Sequence, residues 1–203
     1  MSEQLSKPLE LKQALKILGF LKTGYDDYLA ARILINHNLL LQGVFMANTA
    51  IEKHLKAILI YKGDNFKFTH KTTALLEEIK EFDDKLYQQF DIPYLALIEQ
   101  CYQLRYIDSA PEGLNVTLVK RRLLAELDFM ITLLVNKIRI NTNKPYDNKY
   151  KMDLQAKNPD LFENNFILNE IPKDEFLKGI DEVYQFSIES NGTFIEIIYQ
   201  SYF

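Results

Sequence analysis

An apolar-periodic run over residues 25–63, YDDYLAARILINHNLLLQGVFMANTAIEKHLKAILIYKG, constrains this chain more than any other feature. Two helical patterns meet inside it at residues 41–43 with almost no residues left for a loop, so the two helices must fold back as an antiparallel hairpin. In the first, residues 25–40, Leu29, Ile33, Leu34, Leu40 and Leu41 form the apolar side and leave Asp26, Asp27 and Arg32 for the other. In the second, residues 44–61, Ala47, Ile51, Leu55, Ile58 and Leu59 recur at helical spacing, and Gly63 supplies the stop. Ala47 and Ala50 are small enough to admit a close neighbour.

The rest of the pattern extends this hairpin into an all-α bundle over residues 1–140. Leu9, Leu11, Ala14, Leu15, Leu18 and Leu21 predict a short opening helix that ends near Gly24. Thr72 or Thr73 can cap a helix over 74–90, and Asp91-Ile92-Pro93 opens another that carries Leu95, Ile98, Cys101, Tyr102 and Arg105. Residues 106–114, with Pro111 and Gly113, read as a loop. Asn115 is a cap for a last helix of about six turns whose stripe runs through Val116, Leu123, Leu127, Met130, Ile131, Leu134 and Ile138. Beyond it NTNKPYDNKYK is polar and turn-prone, which sets off residues 141–203 as an appendage packing on the bundle or on a dimer partner. Within the appendage a helix is expected over 173–189, with a break at Asn191-Gly192. A second is expected over TFIEIIYQSYF, because Phe194, Ile197, Ile198, Ser201 and Tyr202 match helical spacing and Thr193 with Glu196 makes a capping box, against the strand tendency of the same residues.

Composition removes several classes of function. A net charge of −4 rules out a globally basic nucleic-acid surface and leaves only local patches such as Lys120-Arg121-Arg122. The single cysteine, Cys101, has no partner for an internal disulfide or a zinc pair, so it reads as a buried thiol in a reducing compartment. The polar start MSEQLSKPLELKQ is unlike a secretory signal, no stretch is apolar enough to span a bilayer, and a cytoplasmic protein is expected. Glycine-rich phosphate loops, a Gly-x-Ser-x-Gly elbow and paired CxxC motifs are missing from the sequence. Asp26 and Asp27 lack a third ligand at metal spacing, and a place at a helix N-terminus accounts for them; no metal or cofactor is expected.

Three segments in order carry a resemblance. AARILI followed by FMANTAIEKHLKAILIYKG resembles the first helical hairpin of HEPN domains, Phe68-Thr69-His70 before a leucine-bearing helix resembles their next segment, and Tyr102 with Leu104-Arg105-Tyr106 resembles their later tyrosine-and-arginine stretch. The similarity covers residues 21–140. It implies an up-and-down bundle of four or five helices that commonly dimerises and is linked to nucleotides and RNA. Some members are metal-independent ribonucleases, and some pair with a minimal nucleotidyltransferase as toxin and antitoxin. The nuclease members carry an arginine, a polar residue, several further positions and then a histidine: histidine serves as acid or base near neutral pH, and arginine stabilises a phosphate gaining charge.

With only His37, His54 and His70 present, that motif can be tested completely. Arg32 precedes His37 by five places, but Ile33 stands where the polar residue belongs and the pair lies in the first hairpin. Arg105 is better placed, and no histidine follows it anywhere in the chain. The nuclease site therefore reads as missing, and Arg32/His37 as a solvated helix pair. His54 lies beside the apolar stripe and reads as a partly buried structural histidine. The plain reading of Glu52, Lys53 and Lys56 is a solvated face with a Glu52–Lys56 pair. His70 reads first as a packing or capping side chain of its loop. If nucleotide or RNA binds, Lys53, Lys56, His70 and Arg105 are the candidate contacts, being the cationic positions inside the resembling segments. Two functions follow: a catalytically silent module, homodimeric, that binds nucleotide, RNA or a nucleotidyltransferase partner; or a metal-independent ribonuclease with an unusual site from Arg32/His37, or from His70 and Arg105 brought together.

Overall fold

The computed structural model describes residues 10–63, 69–106, 112–138, 148–189 and 193–203. The long run does fold as a hairpin, with different joints from those expected. Helix α1 (Leu11–Asn36) is continuous through Gly24, and α2 (Leu40–Lys62) begins before residues 41–43, so the turn is residues 37–39. Asn38 makes that turn in the left-handed region at φ 64°, a conformation asparagine tolerates better than most residues. Gly63 ends α2 as expected, at φ 80° with its N–H on the Ile60 carbonyl. Asp26 and Asp27 consequently lie inside α1 and not at a helix start.

Helices α3 (Thr72–Phe82) and α4 (Asp84–Tyr87) divide what the periodicity suggested as one. Asp83 makes the break: its carboxylate accepts from the Leu86 N–H at 3.0 Å and starts α4. Helix α5 (Ile92–Gln103) starts as expected, with Asp91 capping the Tyr94 N–H at 3.0 Å and Pro93 in the first turn. Residues 107–111 of the expected 106–114 loop lie outside the described residues, as do residues 141–147 and Asn191-Gly192.

The chain then departs from an all-α fold. Asn115 caps nothing: β1 (Asn115–Val119) precedes helix α6 (Lys120–Lys137). Its outward Asn115 and Thr117 alternate with buried Val116 and Leu118, which is strand period and not helix period. After short helices α7 (Lys149–Gln155), α8 (Pro159–Phe162) and α9 (Lys173–Phe176) come β2 (Ile180–Ile188) and β3 (Phe194–Tyr202), where helices were expected. The three strands form an antiparallel sheet in the order β1-β2-β3, with Leu118 opposite Tyr184 and Tyr184 opposite Ile198. The fold is a mostly helical bundle with a C-terminal sheet.

Ile51, Leu55 and Ile58 of α2 are buried, as the stripe predicts, and pack in one core with Leu95, Ile98, Leu123, Leu127 and Ile131. The α1 stripe is rotated from the expected one: Tyr28, Ala31, Arg32 and Ile35 are buried, while Ile33 and Leu34 are half-buried. The C-terminal residues return to the bundle, through Tyr25 donating to Asp153 at 2.6 Å and through Asp181 accepting the Arg121 N–H at 2.8 Å, at the start of α6. Cys101 is buried, and desolvation pushes its thiol up to about 12.

Candidate functional site

Arg32 is 0% exposed, so the α1 charge read as solvent-facing lies at the centre of the molecule. Its guanidinium donates from Nη1 to both carboxylate oxygens of the fully buried Asp128 of α6, from Nε to the Asp160 carbonyl at 3.1 Å and from Nη2 to the Glu163 carbonyl. The Tyr28 hydroxyl completes the lock by donating to Asp128 at 2.7 Å, and burial beside that carboxylate holds the phenol well above its ordinary range. His37 is elsewhere: it follows the last residue of α1, exposed, its Nδ1 on the Ile33 carbonyl at 2.8 Å. Arg32 and His37 are thus not brought to one surface.

A second cluster lies where α2, the start of α3 and α5 meet. Glu52 is 6% exposed and its carboxylate receives two cationic or cation-capable groups, Lys56 Nζ at 2.6 Å and His70 Nδ1 at 3.0 Å. The Glu52–Lys56 pair anticipated from i,i+4 spacing exists, but as a buried pair and not on a solvated face. His70 itself is largely open to solvent, its side chain 87% exposed, and Glu52 positions it from below. One turn earlier on α2, buried Asn48 lies 3.3 Å from the Thr72 hydroxyl, which also reaches Glu99 of α5 at 3.1 Å. Glu99 accepts from the Thr73 N–H and hydroxyl, both at 2.9 Å. The cap of α3 therefore comes from Glu99 across the bundle and not from Thr72 or Thr73, a carboxylate set against the positive end of the helix. Asn48, Thr72 and Glu99 were not foreseen as part of a site; the signal for Asn48 was an amide inside the apolar stripe of Val44, Ala47, Ile51 and Leu55.

Arg105 belongs to the far end of the same seam. Its guanidinium lies 3.4 Å from the ring centroid of Tyr102 and 5.4 Å from that of Tyr106, while Nε donates to the Tyr102 carbonyl at 3.1 Å. Tyr102 in turn meets Phe45 of α2 edge-on at 6.5 Å. Phe45 and Glu52 are seven residues apart on α2, about 10 Å along its axis. The seam thus carries an exposed arginine on an aromatic step at one end and the Glu52–Lys56–His70 group at the other, with no direct contact between Arg105 and His70.

Lys53 and the basic triplet are engaged. Lys53 pairs with Asp27 at 2.6 Å on the α1 side of α2, away from Lys56. Of the local basic triplet, Lys120 binds the Asn36 carbonyl and Asn38, Arg121 binds the Phe176 and Lys178 carbonyls, and Arg122 pairs with Asp91. His54 is fully buried, more than the partial burial expected; Nδ1 donates to the Ala50 carbonyl at 2.7 Å, and desolvation pushes its pKa down to about 4, so the ring is neutral. It lines a cavity of about 40 Å³ with Tyr25 and Tyr150, far below the size a nucleotide requires. Among the described residues no three His, Cys, Asp or Glu side chains are grouped to hold a metal ion, and no helix is long and apolar enough to cross a membrane.

Comparison with curated proteins found no match, and comparison with solved structures found none. The family pattern of the HEPN domain matches residues 18–122, just over half of the chain, from within α1 to the first turn of α6. That span contains the α1–α2 hairpin, the Glu52–Lys56–His70 group and Arg105 on Tyr102, and by it this chain belongs to the HEPN domain family.

Proposed function

We propose that the protein is a catalytically silent HEPN module, a binding and interaction domain for nucleotide, RNA or a nucleotidyltransferase partner. The observation that carries this reading is the sealing of Arg32: the one arginine with a histidine at nuclease-like spacing commits its donors to Asp128, Asp160 and Glu163, 0% exposed, and offers nothing to a phosphate. An RNA cleavage site needs that charge at the surface, beside a histidine that can move a proton. The seam along α2 supports binding instead. Arg105, exposed over the Tyr102 ring, offers a guanidinium whose open face stacks a base and whose N–H groups pair a phosphate, and His70, exposed and held by Glu52 beside the buried Lys56, sets a second polar group further along. Lys53, held by Asp27, flanks it. In this reading the protein acts in the cytoplasm, as a homodimer, in a setting of the toxin and antitoxin kind, with residues 1–140 as the recognition bundle and 141–203 as its appendage.

The test is RNA cleavage and binding by the purified chain, with chelator present to silence contaminating metal nucleases. No cleavage is expected from the wild type. Anisotropy of a labelled single-stranded RNA or of a labelled nucleotide should register binding that Arg105→Ala weakens about tenfold, equivalent to about 1.4 kcal/mol. Robust cleavage that disappears in His37→Ala or in His70→Ala would replace the silent module with the ribonuclease reading.

A further inference from the structure

Strand β3 carries more exposed large apolar side chains than any other described element. Phe194, Ile197, Ile198, Tyr199 and Tyr202 are all exposed, Ile198 at 59% and Tyr202 at 78%. Side chains alternate across a strand, so Phe194, Ile198 and Tyr202 lie on one face and Ile197 and Tyr199 on the other. Glu196 and Gln200 share the first face, so it mixes polar and apolar side chains, and neither face is the uniformly polar side an ordinary edge strand presents. The strand is also nine residues long, lies at the edge of the sheet and contains no proline or lysine to blunt it.

The backbone at that edge is equally open. Gly179 and Phe203 exchange hydrogen bonds at 3.0 and 3.1 Å, and the Glu189 N–H reaches the Thr193 carbonyl at 3.0 Å. In an antiparallel ladder such pairs recur at every second residue, so the odd-numbered residues of β3 turn their amides toward β2. Phe194, Glu196, Ile198, Gln200 and Tyr202 therefore direct theirs outward, where no strand among the described residues follows in the sheet.

We propose that a second copy of this chain covers the edge, β3 pairing antiparallel with its own counterpart across a two-fold axis at Ile198 to make one continuous six-stranded sheet. The register that overlaps the whole strand is self-complementary. It sets Phe194 against Tyr202, Glu196 against Gln200, and Ile198 against itself, each pair outward-facing and able to exchange both hydrogen bonds. Charge favours this occupant: Glu196 is the one charged residue of β3, and the register places it opposite a neutral amide and not opposite its own copy. Glu196 is further held by a hydrogen bond with Tyr184 on β2. A second copy also supplies apolar neighbours on both faces at once, with Ile197 beside Tyr199 on the face opposite Ile198. This gives the homodimer proposed above its surface and rests on that proposal, but it is independent of whether the bundle binds or cuts RNA.

The experiment uses the full chain in light scattering over a concentration series, with Ile198→Lys and Ile198→Cys variants. A wild-type mass of twice the monomer is expected, with dimerisation at least tenfold weaker in Ile198→Lys while its helical spectrum and unfolding transition persist. Because the axis sets position 198 against itself, Ile198→Cys should cross-link to itself under mild oxidation, whereas Gln185→Cys on β2 should not. A monomeric wild type overturns both the homodimer and its surface. A wild-type dimer that survives in folded Ile198→Lys overturns the surface alone. Should Ile198→Lys fail to fold, the cross-link decides: its presence upholds the β3 axis and its absence overturns it.

Discussion

At Arg32 a complete set of acceptors has been assembled from three distant parts of the chain. The carboxylate comes from Asp128, 96 positions away, and the carbonyls come from Asp160 and Glu163, 128 and 131 positions away. Nothing local announces this, since an arginine among Ala31, Ile33 and Leu34 reads as the polar side of an amphipathic helix. Only the partner that neutralises it makes burial affordable. The lock is asymmetric in energy, because losing one member strands a charge in a dry interior. Asp128→Ala should therefore lower stability by about 3–5 kcal/mol in urea unfolding, whereas the double variant Arg32→Met with Asp128→Leu should recover most of that loss. A urea midpoint for Asp128→Ala equal to that of the wild type would show that the pair contributes nothing. At Glu52 and Lys56 the local signal was better: the i,i+4 spacing identified the pair, and what it could not convey was that the pair would be buried with His70 on its carboxylate.

Among the elements, the α1–α2 hairpin was the most legible because its period is long and its turn short, and its glycines give it a sharp test. A Cβ on Gly43 would come 2.5 Å from Ile35 Cγ1 and 3.2 Å from the Ala31 carbonyl oxygen, a close approach that fixes how α2 lies on α1. A Cβ on Gly19, also helical, would meet nothing within 4 Å. Gly19→Ala should accordingly stabilise the protein by roughly 0.5–1 kcal/mol through helix propensity. Gly43→Ala should destabilise it by about 1–3 kcal/mol, overpacking outweighing the same gain. Thermal unfolding of the two variants beside the wild type gives the signs, and two shifts of the same sign would contradict the packing described. The strands were read as helices for a physical reason. With apolar residues on both faces, β3 offers no clean alternation, and Phe194, Ile198 and Tyr202 at spacing four satisfy either period. For β1, the pairing that stabilises it comes from β2, more than sixty residues later, and a five-residue strand against a six-turn stripe loses any local comparison.

On the scale of the whole molecule, the change of composition after residue 140 was visible, and the depth to which the later residues return was not. The family pattern itself ends at residue 122, two residues beyond the start of α6, so most of α6 and everything after it fall outside the match. Yet the bundle depends on those residues at several places. Two acceptors of Arg32 lie in and beside α8, Tyr25 donates to Asp153 of α7, Lys173 pairs with the buried Glu126 of α6 at 2.7 Å, and β1 has β2 as its partner strand. A chain ending at residue 140 would retain the HEPN hairpin while leaving Arg32 short of acceptors and uncovering Val116 and Leu118, now 1% and 0% exposed. Each loss is of the kind that costs one to several kcal/mol, and together they rival the about 5–15 kcal/mol by which a domain of this size is stable. The truncated chain should therefore lose its cooperative thermal transition, measured by circular dichroism against the full chain. A fragment melting within a few degrees of the intact protein would mean that residues 141–203 only decorate a bundle that stands by itself, and that the Arg32 lock closes on water as well as it does on α8.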